Sequence, residues 1–236
     1  MGKRVFYSEL AYLLGIITLA LGTSFMVKAD FGVSMIVAPA YLLHLKISQV
    51  LPFFSFGMAE YVLQGFLILL LMLVLRRFRL SYLFSFITAV FYGFMLDFFT
   101  IFVDRLPYES IFVGIGYYAF GLLTAVFGVA CVFHTYIPPE AYELFVKEIS
   151  AQFKLPLTKV KIVYDYSSCI IGILLSFCFF GFGHFEGIKA GTIVCALINA
   201  FLIAGISKLL EKYFVFRDAF GWRKYFDDKR EQNVSA

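Results

Sequence analysis

Three carboxylic acids stand where ionisable side chains are expensive. Glu60, Asp97 and Asp165 interrupt stretches that are otherwise almost all hydrocarbon, and His134 closes another. An acid set a few residues into an apolar helix must be paired, protonated or turned towards a polar cavity. Desolvation favours its neutral form, so such a group can take up and release a proton. Imidazole can do the same near neutral pH. Glu60, Asp165 and His134 are therefore the candidates for proton coupling. Lys161 precedes Asp165 by one helical turn, so an i,i+4 salt bridge is the plain structural alternative. Asp97 reads as a structural acid at a rim, paired with Arg105 or Lys28.

A second kind of chemistry is suggested by FMVKADFGVS, residues 25–34. The uncharged run Leu10 to Val27 ends in Lys28, Asp30 and a glycine, and a new apolar stretch begins at Ser34. His134 similarly precedes Pro138, Pro139 and Glu140, and then a short helix. Helix N-termini expose unpaired N–H groups and about half a positive charge, which favours anionic groups. Lys28, Asp30, Ser34, Glu60, Tyr61, His134, Glu140, Asp165 and Tyr166 are accordingly the residues expected to bind a small anionic or zwitterionic solute. Tyr61 and Tyr166 enter because each follows an acid and could present a hydroxyl to the same cavity.

Other chemistries find little support. Neither HExxH nor GxSxG occurs, and His184 and Glu186 share a short loop without the further ligands a metal would need. No enzyme activity, metal or cofactor is expected. Cys131, Cys169, Cys178 and Cys195 lie inside apolar runs without ligand spacing and read as small buried hydrophobes.

These residues must be positioned by membrane helices. Of 236 residues, 61% are hydrophobic and 15% charged, with a mean hydropathy of +0.87. A soluble domain is nearer a quarter charged. A spanning helix needs ~20 apolar residues to cross ~30 Å of hydrocarbon. Six segments fit: 8–28, 56–76, 80–101, 110–134, 161–182 and 188–209. With the N-terminus in the cytoplasm, all of the 20 lysines and arginines except Lys28, Lys46, Arg105 and Lys189 fall on the cytoplasmic side. That asymmetry sets the orientation and puts both termini inside. It also accounts for the net charge of +4 without invoking nucleic acid.

Two connections are more than loops. Residues 33–55 are too apolar to be freely solvated and too interrupted to span, so they read as a re-entrant or interfacial helix. Residues 138–153 read as an amphipathic helix, with Tyr142, Phe145 and Ile149 opposite Glu143, Lys147 and Glu148. Paired prolines suit its first turn. The tail from Arg217 on, with Phe220 and Trp222, reads as an interfacial anchor followed by a few disordered residues.

The chain also matches itself. Leu21-Gly22 falls on Phe127-Gly128, Lys28 on His134, and Gly32-Val33 on Pro138-Pro139. Leu51-Pro52 matches Leu155-Pro156, Glu60-Tyr61 matches Asp165-Tyr166, and Ser85 to Gly93 lies over Thr192 to Ala200. Three spans in each half mean that the second is inserted upside down, an architecture of secondary transporters. Small residues then serve close packing: Gly114, Gly121 and Gly128 in one span, and Gly191, Ala196, Ala200, Ala204 and Gly205 in another.

The expected fold class is thus an all-α membrane protein of six spans, two inverted three-helix repeats each carrying a short re-entrant or interfacial helix between its first and second spans. The parts are residues 1–7, a first repeat at 8–104, a second at 105–213 and a tail at 214–236. The stretches MVKADFGVS, PPEAYELFVKEIS, KVKIVYDYSS and GIKAGTIVCALINA resemble the bacterial YczE/YitT-type integral membrane proteins over about residues 10–212. That resemblance implies a multi-pass protein of the bacterial inner (plasma) membrane and supplies no substrate. The functional expectation is a secondary transporter of a small polar solute, proton-coupled and, given its small size, a homodimer. The alternative is a non-transporting membrane scaffold or regulator acting through its cytoplasmic amphipathic helix and tail.

Overall fold

Backbone N–H and C=O groups find no water in hydrocarbon, so apolar segments this long must bond internally as helices. A computed structural model describes residues 3–182 and 186–226, which leaves His184 and the end of the tail, where a few disordered residues were expected, outside it. In chain order the elements are β1 (Arg4–Tyr7), α1 (Ser8–Ala29), α2 (Ala38–Ile47), α3 (Phe56–Leu75), α4 (Leu80–Val103), α5 (Ile111–Phe133), α6 (Ala141–Phe153), α7 (Leu157–Phe180), α8 (Ala190–Tyr213), β2 (Phe214–Arg217) and α9 (Arg223–Phe226). Six of the helices, α1, α3, α4, α5, α7 and α8, are long and apolar enough to cross a membrane. The short helices α2 and α6 fall in the two long connections.

The helix ends explain several charges. Asp30 caps α1 in the left-handed conformation (φ 56°), its N–H bonding the Val27 carbonyl. Aspartate tolerates that geometry better than most residues. Lys28 Nζ donates to the Asp104 carbonyl at 2.7 Å, and Asp30 pairs with Lys189 at 2.7 Å. Asp97 meets neither Arg105 nor Lys28. It accepts from Ser55 Oγ at 2.6 Å and the Gly57 N–H at 2.8 Å, while Ser55 itself caps α3 through the Met58 N–H. A carboxylate at a helix N-terminus satisfies orphan donors and opposes the positive dipole end.

Helix α1 is central, lying against α5 and α4, and α8 lies against α5. Lipid is as apolar as leucine, so backbone proximity rather than water exclusion holds such helices together. The α1–α5 crossing shows this. A Cβ built on Gly22 would stand 2.5 Å from the Gly121 carbonyl, and one on Gly128 would stand 2.5 Å from that of Gly15. Gly191 packs against the Phe31 carbonyl and the Tyr118 ring. Gly114 does not serve a helix contact; it accommodates the Tyr108 ring. Ala200, Ala204 and Gly205 face outward, and a Cβ on Gly205 would meet nothing within 4 Å.

Helix α6 is not the amphipathic surface helix that its sequence suggests. It packs on α3, α4 and α7, and Tyr142, Leu144, Val146 and Glu148 are all buried. Glu148 is held by Arg79 at 2.6 Å, Arg77 at 2.8 Å and the Tyr82 hydroxyl at 3.1 Å. Arg77 and Arg79 lie between α3 and α4, so this cluster pins that connection to α6. Replacing Glu148→Ala removes the carboxylate that both guanidinium groups share. Because both arginines keep some exposure, a loss of about 2 kcal/mol in unfolding free energy is expected, read from thermal or denaturant unfolding of purified protein.

Two four-residue strands were not foreseen. β1 pairs with β2 in parallel register, Arg4 to Phe214 through Tyr7 to Arg217. The Phe6 ring sits 5.4 Å from Phe214 and 5.6 Å from Phe216. Below it, Glu9 accepts from the Tyr136 hydroxyl and from the N–H groups of Ala219 and Phe220, and Ser8 bonds Asp218. Residues 4–9 and 214–220 thus form one connected unit.

Candidate functional site

The polar chemistry of the interior gathers where α6 begins. Glu60 projects from α3 and is fully buried. Its Oε2 accepts from Gln64 Nε2 at 3.1 Å and from the Tyr142 hydroxyl at 2.8 Å, while Oε1 has no protein hydrogen-bond partner. Gln64, one turn further along α3, also accepts the Ala141 N–H at 3.0 Å and lies against the Glu140 carboxyl. Glu140 precedes the first turn of α6 and is 7% exposed, and its Oε1 likewise lacks a protein partner. Two buried acids therefore meet at one carboxamide, Glu60 alone accepts from the phenol, and each acid keeps an oxygen without a protein partner.

Beside this pair lies a cavity of about 70 Å³. Its wall comes from Ile16, Leu19, Thr23 and Met26 of α1, Ser34, Ile36 and Val37 before α2, Tyr92 of α4, Leu122, Ala125 and Val129 of α5, and Cys195, Asn199 and Ile203 of α8. Val132 and Phe133 of α5 and the run Pro139, Glu140, Tyr142 and Glu143 also line it. The segments leading into both short helices thus reach the same space. Each is anchored by a hydroxyl: Thr192 Oγ1 donates to the Val33 carbonyl at 2.7 Å, and Ser85 Oγ to the Pro139 carbonyl at 2.6 Å. Thr88 Oγ1 adds a bond to the Pro138 carbonyl at 3.1 Å.

Burial pushes the Glu140 carboxyl well above the usual carboxylate range, and the neighbouring acids Glu60 and Glu143 push it the same way. A raised folded-state value means that the folded chain holds this proton more tightly than the unfolded chain. The resulting stabilisation is complete below the unfolded value and is lost as pH rises through the folded one. Wild-type Tm is expected to fall as pH climbs above the ordinary carboxylate range, and less steeply in Glu140→Gln. Differential scanning fluorimetry across pH checks this, and equal slopes would refute it.

Of the nine residues singled out from sequence, Ser34 and Glu140 line the cavity and Glu60 lies directly behind it. Asp165 is one step removed: Lys161 bridges it at 3.3 Å to Glu143 at 2.6 Å, so the anticipated i,i+4 pair is present. The other five are elsewhere. Lys28 and Asp30 hold the end of α1, for the reasons given above. His134 does not face the start of α6; its Nδ1 meets the Ala130 carbonyl, its Nε2 pairs with Glu211 at 3.2 Å, and its ring stacks on Phe216. Tyr61 packs against Gly93, because α3 and α4 are adjacent there. Tyr166 is 58% exposed on the outer side of α7. Gln64, Tyr142 and Asn199 were missed. For Gln64 a signal existed: it is a lone amide one turn after an acid, in an otherwise apolar helix.

These observations define a multi-pass helical membrane protein with a buried pair of carboxyl groups beside an internal cavity. The chain belongs to the family of unknown function DUF6198, whose model matches residues 6–208. No curated protein and no solved structure matched it.

Proposed function

We propose that the protein is a secondary-type transporter of a small polar solute, built as two inverted repeats and coupled to protons through Glu140 and Glu60. The observation that carries this reading is the internal cavity, reached by both short-helix lead-ins and walled on one side by a buried acid with an unmatched oxygen. A purely structural core would have no use for that acid, since an apolar residue of the same size is cheaper to bury.

The contacts support the inverted repeat. The alignment that lays Gly22 on Gly128 also lays Gly15 on Gly121, so the Gly22–Gly121 approach and the Gly15–Gly128 approach exchange under it. It lays Thr192 on Ser85 and Val33 on Pro139, and those pairs make equivalent hydrogen bonds. Packing of α1 on α4 corresponds to α5 on α8, α2 on α3 to α6 on α7, and α2 on α7 to α6 on α3. Two correspondences fail: α3 packs closely on α4 and α4 on α6, whereas α7 and α8, and likewise α8 and α2, have no comparable packing. Alternating access needs such an inequality, with one repeat open while its counterpart is closed. In this reading α2 and α6 are re-entrant, both termini lie in the cytoplasm, and kinship with YczE/YitT-type proteins is kept. The scaffold alternative needs an exposed amphipathic helix, and α6 is buried.

Reconstitution into proteoliposomes with an internal pH dye tests the proposal. Addition of a transported solute to one side is expected to move protons in wild type. Glu140→Gln should sever that proton movement from solute movement. Absence of both movements for every small polar solute tried would remove the reading.

A further inference from the structure

The cavity's charge inventory restricts what can bind. Glu140 is its uncompensated ionisable group, since Glu143 is matched by Lys161. No lysine or arginine is among the lining residues. The remaining polar wall is neutral: Thr23, Ser34, Tyr92, Tyr142 and Asn199, set among mostly aliphatic side chains. A carboxylate solute would therefore meet acids without a free cation to receive it. A compact apolar group bearing a positive end would find both a greasy wall and an unmatched oxygen.

We propose that this cavity takes a small aliphatic ammonium ion and that its binding displaces the proton of Glu140. The charge balances: one ammonium enters as a cation, the carboxyl O–H gives its proton to water, and the carboxylate left behind accepts the ammonium N–H. No bond of the amine itself breaks. The groups facing Glu140 are Glu60 from α3, Glu143 and Tyr142 from α6, Lys161 from α7, Tyr12 from α1 and Tyr92 from α4. Among these, Lys161 is the cation, and it is engaged by Glu143 and Asp165. The acids outnumber it, which leaves room for one more positive charge. Read as transport, the same competition makes an exchanger: the site holds a proton or an ammonium and carries one in each direction. That last step rests on the transporter reading, and the binding step does not.

The test is equilibrium binding to the purified full chain in detergent, using isobutylammonium chloride, sodium isobutyrate and valine as probes that share an isopropyl group and differ in net charge. Isobutylammonium is expected to raise Tm and to bind with an affinity that grows about tenfold per pH unit while Glu140 is mostly protonated. Glu140→Gln should weaken it about thirtyfold or more and flatten the pH dependence. The wild-type pH dependence stands without any variant. Stabilisation by isobutyrate or valine in place of the amine overturns the ammonium site and leaves the transporter reading intact. Stabilisation by none of the three overturns it as well. Binding of the amine by a protein that moves nothing in proteoliposomes upholds the site and removes the transporter reading.

Discussion

A thiol link between Tyr166→Cys and Ala200→Cys is expected to form slowly and to stop solute movement once formed. The repeat alignment lays Tyr61 on Tyr166 and Gly93 on Ala200. Tyr61 packs on Gly93, whereas Tyr166 and Ala200 both face outward and belong to helices that do not pack closely on each other. If the two halves exchange conformations, Tyr166 must reach Ala200 in the other state, and Tyr61 must leave Gly93. The reciprocal pair, Tyr61→Cys with Gly93→Cys, should link sooner and also block transport, although a Cβ at position 93 would stand 2.8 Å from the Gly57 carbonyl and α3 must shift slightly to admit it. The four native cysteines would first be replaced and transport verified on that background, since Cys195 lines the cavity. A short bifunctional maleimide and a flux assay give the answer. Failure of positions 166 and 200 ever to link, or full transport after they do, would end the exchange model.

The second large effect concerns stability alone. Gly22→Val should abolish the folded state or cost about 3 kcal/mol or more. The added Cβ would lie 2.5 Å from both the Ala125 nitrogen and the Gly121 carbonyl oxygen. Neither is a rotatable side-chain tip, so α1 and α5 would have to separate. That separation would also withdraw Leu122 and Ala125 from the cavity wall, which couples the packing defect to the site. Gly116→Ala is the control: nothing lies within 4 Å of its added methyl, and helix propensity should make it stabilising by up to about 1 kcal/mol. Yield of monodisperse protein and unfolding in denaturant measure both. A Gly22→Val protein as stable as wild type would show that the crossing is looser than drawn.

The six spans were legible because hydrocarbon thickness fixes helix length and leaves few alternatives for an apolar run of that size. The two short helices were legible for different reasons: residues 33–55 are too interrupted to span and too greasy to dissolve, and residues 138–153 show helical spacing of apolar residues after paired prolines. Partners were harder to read. Composition says that Glu60 must be satisfied, but not that Gln64 and Tyr142 do it. Lys28 and Asp30 looked like a solute site because helix ends attract charge, and here a carbonyl and Lys189 already meet that attraction. Glu148 was placed on a polar face by periodicity, yet two arginines and a tyrosine from another part of the chain make its burial tolerable. His134 reads as a proton carrier from its imidazole and its place at a span end, but Glu211 and Phe216 occupy it from the far end of the sequence. The pairing of residues 4–7 with 214–217 had no local signal: four residues are too few for a period-2 pattern to stand out.

That pairing also sets a clock on biogenesis. Ser8 and its partner Asp218 are 210 residues apart, an interval of roughly ten to forty seconds at ~5–20 residues per second of synthesis. For that time the early strand has exposed edge groups and Glu9 has no backbone N–H to receive. A nascent chain halted or nicked before Phe214 keeps that raw edge permanently, however well its helices have inserted. The seal between the two strands thus forms only after all six spans have been synthesised, so the last contact made locks the first segment in place.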